Sequence, residues 1–384
     1  MRPWRRALPV KTTQREGSPS KRSASRASRA VEEPFAVTAC MGRRWVLAAL
    51  ALCLSVPGLP VPPAAIASDK PLLSACWAPE ALTAKPGEKL SRKHDRSFDA
   101  PPVEGWLATP VEPAPAGALG AIRSVRLPPG KKLIALTFDL CEQPGEIAGY
   151  DGAVIDYLRR ENIKATFFAG GKWMRSHEER TQQLMADPLF EIGNHAEAHR
   201  NLRLLQGKRL HDEVEGPQRA YETIRARFAR SECAKAQPAA VQSIAPRLTL
   251  FRFPYGACNE RALREVHDQG LRAIQWDIST GDPSPQQSAA AIVHTMSHAR
   301  PGSIILNHAN GRGWHTAAAL PVAVAKLRKE GFEFVTVSEL IAAGEPVIAP
   351  GCYDSRPGDT NRYDRVVRRP RPLQTTETPW TPWP

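Results

Sequence analysis

The sequence predicts an α/β fold, a TIM-like (β/α) barrel of about seven strands in a single domain with irregular tails. Between residues 133 and 337, short apolar runs alternate about seven times with segments of helical spacing, which is typical of parallel strands joined by helices. Polar side chains recur where these runs end, at Asp139, His195, Arg252, Asp282 and His308. Since the carboxyl ends of barrel strands carry the functional residues, these positions predict one shared pocket.

The elements follow in order from local patterns. Strands are predicted over residues 133–138, 164–169, 190–195, 248–253, 271–278, 303–306 and 332–337, each a short apolar run closed by polar residues. Helices are predicted around residues 154–158, 178–186, 214–228, 260–269, 286–299 and 317–329. The pair Asp187-Pro188, for example, ends the second helix.

The outer parts of the chain differ in composition from this centre. Residues 68–127 are interpreted as a Pro-rich arm or linker, residues 128–345 as the barrel, and residues 346–384 as a disordered Pro/Arg-rich tail. The 384 residues are 42% hydrophobic, enough for one large domain with tails.

Composition and motifs exclude several function classes. The net charge is +13, but residues 1–44 hold eleven Lys and Arg against three Glu, so +8 of it lies there. A nucleic-acid partner is therefore not predicted. No Gly-x-Ser-x-Gly, Walker or dinucleotide-binding spacing is present, which disfavours a serine hydrolase or a nucleotide-binding protein.

Residues 41–67 resemble a secretory signal peptide. Arg43 and Arg44 precede the apolar run 45–56, and Ala65-Ile66-Ala67 is a small-x-small cleavage site. The protein is thus predicted to be exported, periplasmic or secreted, with no membrane span after cleavage. Residues 1–40 are interpreted as an over-extended N-terminus; the alternative is a basic arm before an anchor helix.

Export into an oxidising medium favours disulfides. Five cysteines follow the predicted cleavage site, so at least one stays unpaired. A bond between Cys76 and Cys352 would tie the two tails together.

Two histidine pairs have the spacing of neighbours on one helical face. His195 and His199 follow a strand directly, and on a helical turn both imidazoles could take two positions of a tetrahedral metal. His294 and His298 have the same spacing but lie near the carboxyl end of an amphipathic helix, where positive charge is favourable. The first pair is therefore the candidate site.

Three other rim residues each allow a functional and a structural interpretation, and a fourth, His308, has a functional one. Arg252 could hold a carboxylate ionised, or form a salt bridge in a loop. Asp282 could orient a histidine or cap the following helix, and Trp276 could form an apolar or sugar-stacking wall or belong to the core. His308, at a strand end, suits a general acid.

These residues resemble a known family. Thr137-Phe138-Asp139, His195-x-x-x-His199, Arg252-Phe-Pro-Tyr255, Asp282 and Leu306-Asn-His308 stand in the order of the five motifs of polysaccharide deacetylases, carbohydrate esterase family four. The resemblance covers about residues 133–340. It implies a distorted (β/α) barrel that hydrolyses acetyl groups of chitin, peptidoglycan or exopolysaccharide with a divalent metal, usually zinc.

The resemblance also implies residue roles. His195 and His199 would bind the metal. Asp139 would be the general base, and Arg252 would orient it. The backbone amide of Tyr255 would contact the oxyanion. His308 would be the general acid, and Asp282 would tune His308. Metal and donors together would stabilise a tetrahedral oxyanion.

The chain departs from the family pattern beside Asp139. Leu140 stands where the family has a second acid, the third metal ligand, and Ala196 and Pro283 replace two further motif residues. Three interpretations follow: Cys141 or Glu142 supplies the ligand, Asp139 binds the metal itself, or metal binding is lost.

Two functions are compatible with this pattern. The first is an exported metal-dependent hydrolase that removes acetyl groups from a glycan, cleaving a carbon–nitrogen bond other than a peptide bond. The second is a catalytically silent glycan-binding domain of the same fold. The first is favoured, because a pure binding domain has little need for Asp139, Arg252, Asp282 and His308 together.

Overall fold

The computed structural model describes residues 71–101 and 119–367. The predictions for residues 1–40, for the signal peptide 41–67 and for the chain beyond residue 367 lie outside these residues. Within them, no helix has both the length and the apolar character needed to cross a membrane.

The described residues form twelve strands and thirteen α-helices. The strands are β1 Arg92–Lys93, β2 Ala121–Arg126, β3 Leu133–Leu140, β4 Glu146–Ile147, β5 Ala165–Ala169, β6 Phe190–Asn194, β7 Leu250–Phe251, β8 Arg272–Ile274, β9 Ile278–Ser279, β10 Ile304–His308, β11 Glu333–Phe334 and β12 Glu345–Ala349. The helices are α1 Leu72–Cys76, α2 Pro79–Leu82, α3 Gly152–Arg160, α4 Gly171–Ser176, α5 Glu178–Ala186, α6 Lys208–Ala229, α7 Glu232–Lys235, α8 Pro238–Ser243, α9 Glu260–Asp268, α10 Ala289–Met296, α11 Thr316–Lys329, α12 Val337–Ala342 and α13 Arg362–Val367.

Ten strands build one curled sheet in the order β12-β2-β8-β7-β6-β5-β3-β10-β9, with β11 beside β3. All pairs are parallel except β12 with β2. Residues 272–279 contain β8, which lies between β2 and β7, and β9, which pairs with β10. Because these strands are far apart in the strand order but adjacent in the chain, this segment curls the sheet into a barrel. The predicted distorted (β/α) barrel is confirmed.

Strand β3 lies at the centre of this sheet. Its sequence LIALTFDL is buried from Ile134 onward, since helices cover one face and the barrel interior covers the other. Side chains alternate along the strand: Ile134, Leu136, Phe138 and Leu140 pack in the larger core cluster, while Ala135 packs in the smaller one. The alternation places Asp139 on the same face as Ala135, toward the interior.

Parallel pairing brings the polar strand ends together. In register, Asp139 of β3 lies beside His308 of β10 on one side and beside Phe168 of β5 on the other. Asn194, the last residue of β6, pairs with Phe251, directly before Arg252. The predicted shared pocket therefore follows from strand register.

The outer boundaries of the barrel differ from the prediction. Strand β2 begins at Ala121, inside the predicted arm 68–127, and α1 and α2 also form within it. Strand β12 pairs with β2, and ordered chain continues to residue 367, so the disorder predicted from residue 346 is wrong for this part. Pairing across more than 200 residues has no local sequence signal.

The disulfides are Cys76–Cys233 and Cys258–Cys352. The predicted Cys76–Cys352 bond is therefore wrong. The first bond fastens the N-terminal arm to α7, and the second fastens the C-terminal segment to the turn after β7. Cys141 is free and buried.

Several elements are shorter than predicted. The predicted strands 248–253 and 332–337 reduce to β7 and β11 with two residues each, and the strand 271–278 splits into β8 and β9. Helix α12 begins at Val337, where the capping box of Thr336 and Glu339 satisfies its first amides. Long-range pairing, rather than local propensity, sets these limits.

Candidate active site

Asp139 forms a buried ion pair with Arg252 at the carboxyl end of the barrel. Arg252 Nη1 lies 2.9 Å from Asp139 Oδ1 and 2.7 Å from Thr137 Oγ1. The guanidinium is fully buried and lies 4.0 Å above the ring of Phe168. Arg252 also donates to the carbonyl of Gln275, which fixes its position. It thus contacts the carboxylate that the sequence predicted it would orient.

This pairing sets the charge of Asp139. Burial alone would raise the pKa of the carboxyl group, but the nearby His195 and Arg252 outweigh it and hold the pKa of Asp139 below its usual range. The second oxygen, Oδ2, lies 3.4 Å from His195 Nε2. Asp139 is therefore a carboxylate at neutral pH, in the form that accepts a proton.

His195 offers one free ring nitrogen to the pocket. Its Nδ1 lies 2.9 Å from the carbonyl oxygen of Arg252. Because a carbonyl only accepts, Nδ1 carries the hydrogen and Nε2 has a free lone pair. Nε2 is buried without a hydrogen-bond partner among the described residues, and burial lowers the pKa of the imidazole. This is the tautomer that a metal ligand requires.

His199 lies beside it, with ring centroids 5.0 Å apart. The predicted helical turn is wrong, because residues 195–200 form an irregular loop in which Ala196 and His199 have φ of 62° and 51°. This left-handed backbone brings the rings together instead. His199 Nδ1 is also buried without a partner in the described structure, and burial lowers the pKa of this ring strongly.

Two residues that the sequence did not single out support this loop. Asn194 Oδ1 accepts the amide of Ala196 at 2.9 Å, and Asn194 Nδ2 donates to the carbonyl of Val214. Glu213 accepts the amide of Ala198 at 3.0 Å. Ala196 has no polar side chain, so Asn194 and Glu213 hold the backbone of this loop. In the sequence, the feature that points to the role of Asn194 is its position directly before His195.

Cys141 is the third group near the histidines. A ligand atom from each of Cys141, His195 and His199 lies within 4.8 Å of the others. Leu140 is buried in the core, because alternation after Asp139 turns it away and turns Cys141 back toward the pocket. Asn310 Nδ2 lies 2.9 Å from Cys141 Sγ. Burial raises the pKa of the thiol to about 12.

Glu142 points away from the histidines. Its Oε2 accepts the amide of Ala148 at 2.9 Å and the hydroxyl of Ser176 at 2.8 Å, while Oε1 lies 3.5 Å from the buried Lys172. Lys172 also donates to the carbonyl of Gln143 at 2.9 Å. Glu142 therefore supports the loop after β3, and of the two predicted substitutes only Cys141 reaches the histidines.

His308 and Asp282 form the second polar pair of the pocket. His308 Nδ1 lies 2.9 Å from Asp282 Oδ1, and the amide of His308 donates to Oδ2 at 2.7 Å. Burial opposes charge on His308, but the carboxylate outweighs burial and raises the pKa of the imidazole. Thr316 also donates to Asp282 at 2.6 Å. Asp282 thus orients a histidine, and the helix-cap alternative is wrong because Ser288 caps α10.

Tyr255 and Trp276 line a cavity of about 390 Å³, which Asp139, His199 and His308 also line. Tyr255 has φ of 62°, an uncommon value for a residue with a side chain. Its ring centroid lies 4.5 Å from that of His199. Trp276 is 4% exposed, borders the cavity and donates from Nε1 to Asp354 at 3.0 Å. Trp276 is therefore both a core residue and a wall.

The second histidine pair lies near the carboxyl end of a helix, as the sequence predicts. His294 and His298 lie exposed at the end of α10, where His298 Nδ1 contacts the carbonyl of His294 at 2.8 Å. Among the described residues, the cluster with metal-ligand spacing is the one at Cys141, His195 and His199.

A curled parallel barrel with carboxylates and histidines around one cavity at the carboxyl ends of its strands has the architecture of a (β/α)-barrel enzyme. Residues 126–274 match the family model for polysaccharide deacetylase. The resemblance predicted from the five motifs is thereby confirmed.

Curated proteins that are similar to the chain are named as deacetylases. The chain is 28% identical over 209 residues to a peptidoglycan-N-acetylglucosamine deacetylase of Listeria monocytogenes, a match that covers 54% of this chain and 39% of that protein. It is 28% identical over 223 residues to a chitooligosaccharide deacetylase of Azorhizobium caulinodans, covering 55% and 95%. The chain thus spans about two fifths of the first relative.

Two solved structures are also similar to the chain. The peptidoglycan deacetylase PdaC of Bacillus subtilis has a TM-score of 0.44 and 28% identity, covering 56% of this chain and 93% of that one. A CE4 family pseudoenzyme from Bacillus anthracis has a TM-score of 0.46 and 22% identity, covering 58% and 69%.

Proposed function

We propose that this protein is an exported, metal-dependent deacetylase of a glycan, acting on N-acetyl groups of peptidoglycan or a chitin-like polymer. The observation that carries the proposal is the meeting of a buried carboxylate, a carboxylate-paired histidine and two unpartnered histidine nitrogens in one cavity. A domain that only binds glycan does not need this set.

The donor set fits a divalent metal such as zinc. His195 and His199 would hold it, since buried ring nitrogens without partners are costly unless a ligand satisfies them. Cys141 would be the third ligand, and nitrogen and sulfur are the atoms that zinc prefers. When bound, the metal would polarise the acetyl carbonyl and make water more acidic.

The protein's own residues would move the protons. Asp139, held ionised by Arg252, accepts a proton from the attacking water. His308, whose pKa Asp282 raises, donates a proton to the leaving amine. The backbone at Tyr255, in its left-handed turn, is the proposed contact for the oxyanion. The two proton carriers thus have pKa shifts in opposite directions, as acid and base require.

Export is supported by two features. The signal-peptide pattern at residues 41–67 lies outside the described residues, but the two disulfides lie within them. Structural disulfides persist in oxidising compartments such as the periplasm or the extracellular medium.

The direct test combines metal analysis with acetate release. We expect about one zinc-type ion per purified chain, and acetate release from acetylated chitooligosaccharide or peptidoglycan that a chelator abolishes and zinc restores. Absence of both metal and acetate release across these substrates would reject the proposal in favour of a silent glycan-binding domain.

A change at Asp282 should move the pH dependence. Because the Asp282 carboxylate raises the pKa of His308, Asp282→Asn is expected to lower it. The reaction needs protonated His308, so activity falls as pH rises through this pKa. The alkaline limb of kcat/KM against pH should therefore shift to lower pH, while His294→Ala should leave it in place. An unmoved alkaline limb would mean that His308 is not the acid.

A further inference from the structure

The segment from residue 350 to residue 365, here called the C-terminal wall, lies outside the family match of residues 126–274. It nevertheless borders the cavity that contains Asp139 and His308, because Asp354, Arg362 and Tyr363 line that cavity. The pocket is therefore partly built by chain that the family match does not include.

The wall is fastened at its beginning. Cys352 forms the disulfide with Cys258, three residues after Tyr255. Arg123 on β2 donates to the carbonyl of Tyr353 at 2.6 Å and to that of Asp354 at 2.7 Å, and its guanidinium stacks on the Tyr353 ring at 3.7 Å. A disulfide, two hydrogen bonds and a cation–π contact thus hold residues 352–354 in place.

The wall is also fastened near its end. Arg203, in the loop after the metal-site histidines, donates to Asp364 at 2.8 Å and to the carbonyl of Thr360 at 3.0 Å. Asn201 donates to Asp364 at 3.0 Å. Anchors on both sides of Tyr363 make the wall a fixed surface with a defined side chain facing the cavity.

Tyr363 continues an aromatic row toward the reaction centre. Its ring centroid lies 5.0 Å from that of Tyr255 with 33° between the planes, and Tyr255 lies 4.5 Å from His199. Asp354 accepts from Trp276. Arg362 lies over the Tyr363 ring at 4.9 Å and donates to its hydroxyl at 3.2 Å, but it is exposed, so this side chain can move aside for a ligand. An aromatic face with polar groups around it suits the flat C–H face and hydroxyl rim of a pyranose ring.

We propose that the C-terminal wall forms a sugar subsite, in which Tyr363 stacks on the unit next to the acetylated one and Arg362 contacts its polar groups. The inference rests on the proposed function for its substrate class. It adds that chain outside residues 126–274, and not the barrel alone, contacts the sugar unit next to the acetylated one.

Binding measurements test the subsite independently of catalysis. Calorimetric titration with N-acetylglucosamine and with its trimer gives the affinity advantage of the oligomer. Tyr363→Ala should reduce that advantage about five- to tenfold through loss of the ring contact, and Tyr363→Phe should retain it. In the active protein, Tyr363→Ala should raise KM more than it lowers kcat.

The disulfide supplies a second variant with a matched control. The double change Cys258→Ser and Cys352→Ser should loosen the wall and reduce the oligomer advantage as Tyr363→Ala does. The double change Cys76→Ser and Cys233→Ser removes the other disulfide and should leave the advantage unchanged. Circular dichroism and Tm show whether each variant is folded.

The outcomes separate the two proposals. Oligomer binding without acetate release would reject the proposed catalysis and leave the subsite standing. Acetate release with an unchanged oligomer advantage in Tyr363→Ala, or no advantage of the oligomer in the unmodified protein, would overturn the subsite.

Discussion

Replacement of Asp139 by asparagine is expected to lower kcat for acetate release by about 10²–10⁴-fold, the range in which a general base contributes. The amide keeps nearly the same shape and can still accept from Arg252, but it cannot take a proton from water. Metal content should stay unchanged, because the proposed ligands are His195, His199 and Cys141.

A second substitution, Asp139→Ala, tests how much the carboxylate of Asp139 contributes to stability. Asp139→Ala leaves the fully buried Arg252 without its carboxylate, which should cost about 3–5 kcal/mol of unfolding free energy. The matched control is Asp187→Asn, which changes another buried, arginine-paired carboxylate that lines a different cavity. It should leave kcat within a few-fold of the unmodified protein. Loss of metal from Asp139→Asn would instead identify Asp139 as a ligand.

The barrel was predictable because each element carries its own periodic pattern. The run Leu133–Phe138 and the following short strands have the composition of strands buried on both faces, and β3, β5, β6 and β10 lie close to their predicted limits. The edge pair β2 and β12 was not predictable. Its two strands are far apart in sequence and owe their stability to each other.

The residues of the site could be predicted from the sequence, but their arrangement in space could be predicted only in part. Strand ends alone brought Asp139 and His308 into register. The left-handed turns at Ala196, His199 and Tyr255 depend on supports such as Asn194 and Glu213, which have no distinctive spacing. The wall around Tyr363 depends on a disulfide whose pairing no local pattern determines.

Alternation along β3 places Cys141, and not Leu140, beside the two histidines. On a strand, residues two apart share a face, so Cys141 and not Leu140 follows Asp139 toward the pocket. Glu142 is engaged with Ala148, Ser176 and Lys172. On binding a metal the thiol would lose its proton, and the resulting thiolate would supply the ligand atom and the negative charge of the missing carboxylate.

Cys141→Ala is therefore expected to lose metal, with an affinity drop larger than the about 10–100-fold that loss of a supporting contact costs. With cobalt in place of zinc, the unmodified protein should show the near-ultraviolet charge-transfer absorption of a thiolate–cobalt bond. Cys141→Asp should still bind cobalt but lack this absorption, and Glu142→Gln should keep both. These spectra do not depend on turnover.

The contrary results are equally specific. Charge-transfer absorption that survives Cys141→Asp would place a different sulfur at the metal, and its absence from the cobalt form of the unmodified protein would mean that no sulfur binds. Loss of metal in Glu142→Gln, with Cys141→Ala unaffected, would mean that the loop after β3 rearranges so that the acid reaches His195 and His199. If Cys141→Ala binds metal as the unmodified protein does, the centre needs only the two histidines and Asp139, whose Oδ2 lies 3.4 Å from His195 Nε2.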